Sequence, residues 1–419
     1  MDQNDKFDEA VNAALAKVNE LEPSLKKISS ANHARVLTAF VQNRVSDFHF
    51  SPSTGYGYGD TGRDVLERIF ADIFGGESAL VRNQIVSGTH AIYLALKAAT
   101  FPDRKLYYLG MPYDTLKSAL GLNEAGRCHN PLSSELNTEI IPINADKNEL
   151  IRVIKNKIEE TNGNCVIAIQ RSAGYSIDRL SFSIDYIKYL IAVINNTHPN
   201  AIVFVDNCYG EFVETKEPPM VGADLTAGSL IKNPGGSIAP GGGYLVGNSS
   251  LIELAAQMLT APFLGKEVGA SLWDKRLVFQ GLYMAPLLVT EAICGMIFTS
   301  ELMGQLGLNV MPKASDKRTD IIQRIDFNSP DILINFCQRI QHFSPVDSHV
   351  TPQPAPLPGY AEEVIMAAGT FVQGASLELS ADAPIRPPYS VFLQGGISRE
   401  YTVEIISKTV KSLMAEHYI

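Results

Sequence analysis

Short apolar segments alternate with helical patterns along the chain from residue 60 onward. The apolar segments at residues 106–109, 165–169 and 201–205 each end in turn residues, and helical patterns at 149–158 and 186–194 separate them. Buried strands that alternate with helices are typical of βαβ units, in which a mostly parallel sheet carries helices on both faces. The sequence therefore predicts an α/β fold.

The N-terminal region has a different pattern. Apolar residues between Phe7 and Leu21 recur at spacings of three and four, which predicts an amphipathic helix that ends at Pro23. Residues 31–44 have the pattern of a second helix. We expect an N-terminal helical segment over residues 1–50, followed by a large domain over residues 51–294.

The last third of the chain predicts a smaller α+β domain over residues 295–419. Helices are expected at residues 319–325, 330–341 and 398–417, and a hairpin at 364–379, which Gly369 and Gly374 interrupt. Four prolines within residues 351–359 exclude regular structure from that segment.

Charge and composition exclude several classes of protein. The chain has 35 Lys and Arg against 45 Asp and Glu, a net charge of −10, whereas a nucleic-acid-binding surface normally has a basic excess. The N-terminus lacks the basic and apolar regions of a signal peptide. Residues 277–300 are apolar but contain Gln280, Pro286 and Glu291, so we expect a buried helix and not a membrane span.

The cysteines predict neither disulfide bonds nor a zinc site, because they are few, odd in number and widely spaced. This pattern indicates a reducing compartment, and we expect a cytoplasmic protein without a bound metal. The five positions are Cys128, Cys165, Cys208, Cys294 and Cys337.

Two motifs place an acid and a lysine at strand ends. Phe204-Val205-Asp206 puts Asp206 at the carboxyl end of a buried strand, where open α/β sheets form ligand crevices. Lys232 follows a short apolar run and precedes a glycine-rich turn. A lysine amine that is removed from water in such a crevice can lose its proton and form a Schiff base. The alternative is that Asp206 caps a loop and that Lys232 is solvated.

A third motif, Ser87-Gly88-Thr89, precedes a helical run over residues 91–99. Small residues at a helix N-terminus leave backbone N–H groups free to bind an anion, and two hydroxyls add further donors. The same sequence also caps ordinary helices. The order of an anion seat, an acidic strand end and a lysine turn predicts a pyridoxal-phosphate site, since that cofactor needs an acid at its ring nitrogen.

The motifs S-G-x-x-A (87–91), D-N-x-Y (206–209) and S-x-x-K (229–232) resemble those of the fold-type I pyridoxal-phosphate enzymes of cysteine and methionine metabolism. Four further segments resemble the methionine γ-lyase-like branch that is often labelled aluminium resistance protein. These segments are GYGYGDTGR (55–63), IKNPGGSIAP (231–240), SPVDSHV (344–350) and GTFVQGAS (369–376). The likeness covers residues from about 50 to 400. It implies an aspartate-aminotransferase-like fold with a seven-stranded type of sheet.

The resemblance implies roles for individual residues. Lys232 would form the internal aldimine with pyridoxal 5'-phosphate and later transfer protons, and Asp206 would keep the ring nitrogen protonated. Ser87, Gly88, Thr89 and Ser229 would bind the phosphate. Tyr113 would stack on the ring and take part in catalysis, and Tyr209 would also contact the cofactor. Tyr56 and Tyr58 would reach the cofactor phosphate of a neighbouring subunit, which implies a dimer with shared sites and commonly a tetramer.

Arginines and histidines supply the remaining candidates. Arg386 resembles in position the arginine that clamps a substrate α-carboxylate, and Arg171, which follows a buried strand, is its rival. His90 and His349 are candidate acids or bases, although a lone histidine is more often structural. The related enzymes have an arginine soon after the first tyrosine, whereas this chain has Tyr56-Gly57-Tyr58 and only later Arg63, and it departs from the family pattern there.

The implied reaction is γ-elimination from a sulfur amino acid, which yields a 2-oxo acid, ammonia and a thiol. A γ-replacement synthase shares the early steps, as do β-elimination and racemisation. A weakly catalytic cofactor-binding protein that acts in stress or metal resistance is the alternative from another class. No carboxylate cluster in the sequence predicts a metal site.

Overall fold

The computed structural model describes residues 3–122, 136–143, 146–177, 179 and 181–418. Cys128 lies outside these residues. A seven-stranded sheet forms the centre of the large domain, in the strand order β1-β7-β6-β5-β4-β2-β3. Its strands are β1 (Ser78–Arg82), β2 (Lys105–Leu109), β3 (Thr138–Ile141), β4 (Cys165–Gln170), β5 (Ile202–Asp206), β6 (Leu225–Ser229) and β7 (Gly243–Gly247).

The five strands from β3 to β6 in this order pair in parallel, and β7 pairs antiparallel with both of its neighbours. Side chains alternate between the two faces of a strand, so Tyr108 packs with the core around α3 while Tyr107 packs with the core around α5 and α6. The helices of this domain are α2 (Thr61–Phe74), α3 (Gly88–Thr100), α4 (Asp114–Ala119), α5 (Lys147–Glu160), α6 (Ile184–Thr197) and α7 (Ser249–Leu259). The expected helices on both faces are present.

A second sheet of five antiparallel strands lies in the C-terminal part, in the order β10-β11-β12-β9-β8. Its strands are β8 (Asn309–Met311), β9 (Ile322–Asp326), β10 (Val364–Ala367), β11 (Ser380–Pro384) and β12 (Ser390–Gln394). Helix α9 (Pro330–Phe343) packs on this sheet, and α10 (Arg399–Ala415) packs on α9 and on α8 (Lys275–Gln305). The expected small α+β region is therefore present.

Helix α8 (Lys275–Gln305) connects the two sheets. Within the described residues it is the one helix that is long and apolar enough to cross a membrane, but 78% of its most apolar window is buried inside the protein. The sequence had predicted a buried helix here. Because α8 runs through the predicted boundary at 294/295, the division into domains stays a prediction.

The prediction that Pro23 ends the first helix is wrong, because α1 runs without a break from Gln3 to Gln42. Proline removes one backbone hydrogen bond from a helix interior. Tertiary contacts offset this loss: Asn32 donates to the carbonyl of Phe212 at 2.8 Å, and Arg399 pairs with Glu22 at 2.7 Å. The two predicted helices are therefore one.

Two predictions for the small domain need correction. The helix expected at residues 319–325 is wrong, because residues 322–326 form β9, whose pairing with β8 and β12 decides the conformation. The hairpin expected at residues 364–379 extends further than predicted. Its first strand, β10, pairs with β11, which begins at Ser380, so residues 368–379 form the connection.

Candidate active site

A cavity of about 750 Å³ opens at the carboxyl ends of the parallel strands. This is the edge at which open α/β sheets bind ligands. The loops after β2, β4, β5 and β6 line it, together with the N-terminus of α3 and residues 373 and 386–387 of the C-terminal part. The cavity brings together most of the residues that the motifs predicted: Ser87, Gly88, Thr89, Tyr113, Asp206, Tyr209, Ser229, Lys232 and Arg386.

Asp206 is the last residue of β5 and is only 2% exposed. One carboxylate oxygen accepts a hydrogen bond from the backbone N–H of Cys208 at 3.1 Å. Burial raises the pKa of this carboxyl to about 6, against an ordinary value of 3.8. A buried carboxylate with so few donors favours a partner that brings an N–H group and a positive charge, as a protonated pyridine nitrogen does.

Lys232 lies three residues after β6, and its Nζ is 3.5 Å from the centroid of the Tyr209 ring. Burial by itself lowers the pKa of the amine, as the sequence had suggested. The neighbouring Tyr209 and Cys208 have the opposite effect, and the net pKa lies above its ordinary value. The ammonium form of Lys232 is thus held by a cation–π contact with Tyr209.

The predicted anion-binding motif Ser87-Gly88-Thr89 lies at the start of α3. Ser87 is the N-cap of this helix, and its Oγ accepts a hydrogen bond from the backbone N–H of His90 at 3.1 Å. The Ser87 hydroxyl hydrogen remains available to a ligand. A Cβ atom on Gly88 would lie 3.2 Å from the Cβ of Ser229, so these two positions are adjacent. Backbone N–H groups and hydroxyls therefore converge at a helix N-terminus, which suits a phosphate.

Tyr113 precedes α4 and donates a hydrogen bond to Thr89 Oγ1 at 3.0 Å. Thr89 Oγ1 is also 3.2 Å from Thr115 Oγ1. Burial and the nearby Asp206 raise the pKa of Tyr113 well above its usual range. Its phenol therefore stays protonated at neutral pH and is a hydrogen-bond donor on the cavity wall.

The donor set fits pyridoxal phosphate at both ends of the cofactor. A buried carboxyl suits the ring nitrogen, and the hydroxyl-lined helix N-terminus suits the phosphate. An amine from Lys232 lies in the same cavity. These residues would hold the cofactor.

Tyr56 and Tyr58 do not contact this cavity, and their side chains are 74% and 67% exposed. Their loop is fixed nevertheless, because Gly57 has a φ of +68° and packs against Ala270 so closely that a Cβ would lie 2.7 Å from it. Arg63 is buried and donates to the carbonyl of Gly57 at 3.1 Å. Arg63 thus holds the loop and presents both tyrosines to solvent.

The two arginine candidates lie in different surroundings. Arg171 is fully buried, outside the cavity, where its guanidinium donates to Asn207 at 2.8 Å and to Glu214 at 3.0 Å. Arg386 lines the cavity, and its nearest acids are Glu362 at 3.3 Å and Asp114 at 3.8 Å. The structure therefore brings Arg386, and not Arg171, to the site.

The histidines lie outside the cavity wall. His90 is in the first turn of α3, where its Nδ1 accepts from the backbone N–H of Val86 at 3.2 Å and burial lowers its pKa. His349 is exposed in the loop after α9. Both positions agree with structural or solvated roles.

Sequence reasoning missed several residues of the cavity wall, namely Cys208, Tyr175, Arg179 and Tyr360. Cys208 and Tyr175 each follow a strand of the parallel sheet within a few residues, and that position was the available signal. Arg179 holds the loop after β2, because it donates to the carbonyls of Leu109 and Met111 at 2.6 Å. Tyr360 directly follows the proline-rich segment at residues 351–359, where no pattern indicated a site.

Comparison with known proteins agrees with this geometry. A sequence model of the family described as methionine gamma-lyase matches residues 7–414. An uncharacterized protein of Bacillus subtilis (strain 168), YnbB, is 47% identical over 405 residues, which cover 96% of each chain.

Solved structures give the same result. A carbon-sulfur lyase involved in aluminum resistance from Clostridium novyi is 41% identical, with a TM-score of 0.89, over 98% of this chain and 96% of that chain. A candidate cystathionine beta-lyase involved in aluminum resistance from Listeria monocytogenes is 44% identical, with a TM-score of 0.90, over 96% and 99% of the two chains. A methionine gamma lyase from Micromonospora echinospora, 17% identical with a TM-score of 0.56 over 84% and 86%, shares the fold. The predicted fold and family are confirmed, and the chain belongs to the methionine γ-lyase family of pyridoxal-phosphate-dependent lyases.

Proposed function

We propose that the chain cleaves a carbon–sulfur bond of a sulfur amino acid by γ-elimination, with pyridoxal phosphate attached to Lys232. The observation that carries the proposal is the presence of Lys232, Asp206 and the α3 N-terminus in one cavity. When bound, pyridoxal phosphate supplies an electron sink that makes the α-hydrogen of an amino acid acidic. The residues of the chain would bind the substrate and move its protons.

Lys232 would have two tasks. Its amine would hold the cofactor covalently before the substrate arrives, and afterwards the free amine would accept the α-proton. In γ-elimination the same amine would also remove a proton from Cβ. The cation–π contact with Tyr209 supports the proton transfers, because it favours the protonated amine that each of them produces.

Asp206 would fix the protonation of the cofactor ring. Its carboxylate would accept a hydrogen bond and pair with the positive charge of the ring nitrogen. The pKa of about 6 is the value with Lys232 and Arg179 as its nearest cations, and pairing with a further cation would lower it. Asp206 is therefore the residue whose charge state decides the acidity of the substrate α-hydrogen.

Arg386 would bind the substrate α-carboxylate. Its ion pairs with Glu362 and Asp114 are long, at 3.3 and 3.8 Å, so a substrate carboxylate can replace them with a shorter bidentate contact. The side chain is 31% exposed and borders the cavity, which allows entry of the substrate. Arg171, which the sequence left as the rival, would act as a buried structural cation.

Tyr113 would donate a hydrogen bond to the departing sulfur. Its phenol stays protonated at neutral pH, and it lies on the wall that also carries Thr89 and Thr115. A thiolate leaves more readily when a neighbouring hydrogen-bond donor stabilises its charge. The phenol ring would also cover one face of the cofactor.

The exposed tyrosines support a shared site. Tyr56 and Tyr58 flank the closely packed Gly57, are exposed, and do not line the cavity of their own chain. We expect them to reach the cofactor phosphate of a second copy, in a dimer or a tetramer. The unpaired, buried cysteines Cys165, Cys208, Cys294 and Cys337 support a reducing, cytoplasmic location.

β-Elimination is the second candidate, because the Listeria relative at 44% identity is named as a candidate cystathionine beta-lyase. Cystathionine distinguishes the two reactions. γ-Elimination gives cysteine and 2-oxobutanoate, whereas β-elimination gives homocysteine and pyruvate. Methionine is a substrate for γ-elimination alone.

The test is to incubate the cofactor-saturated protein with methionine and, separately, with cystathionine, and to identify the 2-oxo acid. 2-Oxobutanoate from both substrates is the expected result, and pyruvate from cystathionine alone would establish β-elimination. A product thioether formed after addition of a thiol would indicate γ-replacement. The variant Lys232→Ala should lose turnover, while Lys313→Ala, at an exposed position, serves as the control. Turnover by Lys232→Ala without added amine would contradict the role of Lys232.

A further inference from the structure

A continuous chain of hydrogen bonds leads from the small sheet to the Tyr209 ring that contacts Lys232. Tyr175 donates to Asp382 Oδ2 at 2.6 Å, and the hydroxyls of Tyr175 and Tyr209 are 3.0 Å apart. Gln394 donates to Asp382 Oδ2 at 2.6 Å and to the Tyr175 hydroxyl at 2.7 Å. Asp382 and Gln394 are buried in the small sheet, 5% and 3% exposed.

The hydrogen bonds of this network have a definite donor-to-acceptor direction. The Tyr175 hydroxyl has one hydrogen, which it gives to Asp382, so it must accept from Tyr209 and Gln394. The Tyr209 hydroxyl is consequently a donor. Each phenol that donates toward a carboxylate gains electron density, because such hydrogen bonds polarise one another. A more electron-rich Tyr209 ring attracts the Lys232 ammonium more strongly.

The backbone of Tyr209 also indicates a fixed position. Its φ is +70°, in a region that non-glycine residues rarely adopt. The Tyr209 hydroxyl is tied to Tyr175, and the Tyr175 ring packs on Phe392 of β12 at 5.4 Å between centroids. The small sheet thus holds the ring that lies under the cofactor lysine.

We propose that Asp382 is a positioning residue for Lys232, which acts through Tyr175 and Tyr209 to keep the lysine amine in place and favour its protonated form. The proposal rests on the proposed function, in which Lys232 carries the cofactor. It assigns to the small domain a part in the proton transfers of the site. Gln394 supports the same carboxylate and completes the network.

Several other titratable groups face the two ends of this network, and the test must separate their effects. Asp206, Cys208, Tyr209 and Glu211 act on Lys232 besides Asp382. Tyr175, Tyr360 and Cys337 face Asp382. The variants below change only residues of the hydrogen-bond network and leave the other titratable groups in place.

The test is a pH titration of the visible absorbance of the cofactor-saturated protein without substrate. Asp382→Asn keeps the shape of the side chain but removes its charge, and Tyr175→Phe removes the hydroxyl and keeps the ring. Because a negative charge favours the protonated nitrogen at Lys232, both variants should lower the midpoint, by about half a pH unit or more. The double variant should shift the midpoint no further than Asp382→Asn does, since both substitutions interrupt the same series of hydrogen bonds.

Asp326→Asn is the matched control, since Asp326 is a buried carboxylate of the same small sheet, 3% exposed and outside the cavity. It should leave the midpoint unchanged. A midpoint that stays at the wild-type value in Asp382→Asn and Tyr175→Phe would overturn the proposal, even if turnover fell. Where Asp382→Asn does not fold, Tyr175→Phe and Tyr209→Phe carry the test alone.

A second measurement separates this proposal from the proposed function. The rate at which acetic anhydride modifies Lys232 in the cofactor-free full chain, followed by peptide mass against pH, reports the pKa of the amine without cofactor. Asp382→Asn should shift that profile to lower pH by a similar amount. If borohydride fixes the cofactor to another lysine, the proposed function fails, while the profile of Lys232 still decides the role of Asp382.

Discussion

Gly88 and Ser229 approach each other so closely that a Cβ atom on Gly88 would lie 3.2 Å from the Cβ of Ser229. This contact joins the first turn of α3 to the end of β6. It places the backbone N–H groups of the helix beside the strand that leads to Lys232. The reason for glycine here is the close packing and not the backbone conformation, because its φ is not in the left-handed region.

The substitution Gly88→Ala should weaken cofactor binding by about tenfold, which corresponds to about 1.4 kcal/mol. The new methyl group presses on Ser229 and moves the α3 N-terminus out of position for a phosphate. Titration with pyridoxal phosphate, followed by fluorescence, measures the effect. Gly304→Ala is the control, since its Cβ would meet nothing closer than 3.8 Å. Equal cofactor affinity in both variants would contradict the phosphate seat.

The substitution Asp206→Asn should stabilise the cofactor-free protein at neutral pH while it weakens cofactor binding. Burial raises the folded-state pKa of Asp206 from 3.8 to about 6, so the folded protein disfavours the charged form. The resulting loss of stability is absent below pH 3.8, grows up to pH 6 and is complete above it, at about 3 kcal/mol. Urea unfolding at pH 7.5 and pH 5 should show the larger gain for the variant at pH 7.5.

Asp326→Asn should change the stability in the opposite direction and is the control for Asp206→Asn. Burial by itself raises the pKa of Asp326, but hydrogen bonds from Arg324 and Ser390 lower it further than burial raises it. The stability from this carboxylate is present at neutral pH and is lost as the pH falls through its folded-state pKa. Asp326→Asn should therefore unfold at lower urea concentration than wild type at pH 7.5. A gain in stability from both substitutions would disprove the assigned charge states.

The residues at the strand ends could be predicted from the sequence. A polar residue that directly follows a buried apolar run lies at the carboxyl end of a strand in a parallel sheet. Asp206 and Lys232 were found in this way, and both line the cavity. The motif Ser87-Gly88-Thr89 was found because small residues directly before a helical run indicate a helix N-terminus, whose backbone N–H groups are free to bind an anion. These predictions depend on neighbours in sequence, and they needed no knowledge of the tertiary fold.

Asp382, Tyr175 and β9 could not be predicted, because their environment arises from residues far away in sequence. Asp382 lies 207 positions from Tyr175, to which it is hydrogen-bonded. Residues 322–326 are a strand because β8 and β12 pair with them. Arg171 follows a buried strand as a site residue does, yet Glu214 and Glu217 hold it in the interior. Sequence spacing does not reveal such partners.

The substitution Pro23→Ala should raise the free energy of unfolding, by about 1 to 3 kcal/mol. Pro23 lies inside α1, where it is exposed and cannot donate a backbone hydrogen bond. Alanine restores that donor without a change in the core. Thermal unfolding should show a higher Tm than wild type, and an unchanged or lower Tm would mean that the proline relieves a bend which the packing of α1 requires.

Arg171 and Arg386 should respond differently to substitution. Arg171→Met removes the fully buried cation from Glu214 and Glu217, which keep only Lys317 at 2.9 Å and Arg35 at 3.7 Å, and the loss of stability should reach about 3 kcal/mol. Arg386→Lys should leave unfolding unchanged, because its ion pairs are long and partly exposed, but should raise KM at least tenfold. Urea unfolding and steady-state kinetics separate the two effects. A normal KM in Arg386→Lys would exclude the proposed carboxylate contact.

If Tyr56 and Tyr58 serve the site of a neighbouring subunit, two inactive variants should restore activity when they are mixed. In a dimer with shared sites, a Tyr56→Ala/Tyr58→Ala chain lacks the contacts that it gives to its neighbour, and a Lys232→Ala chain lacks its own lysine. Random mixing after subunit exchange makes half of the dimers hybrid, and each hybrid has one intact site. Activity should therefore return to about a quarter of the wild-type value.

Mixing Lys232→Ala with Asp206→Asn is the control, because both residues belong to the site of one chain. Lys232 and Asp206 line one cavity of one chain, so a hybrid of these two variants contains no site with both residues and should stay inactive. Recovery in the control alone, or in neither mixture, would show that Tyr56 and Tyr58 do not serve a neighbouring site.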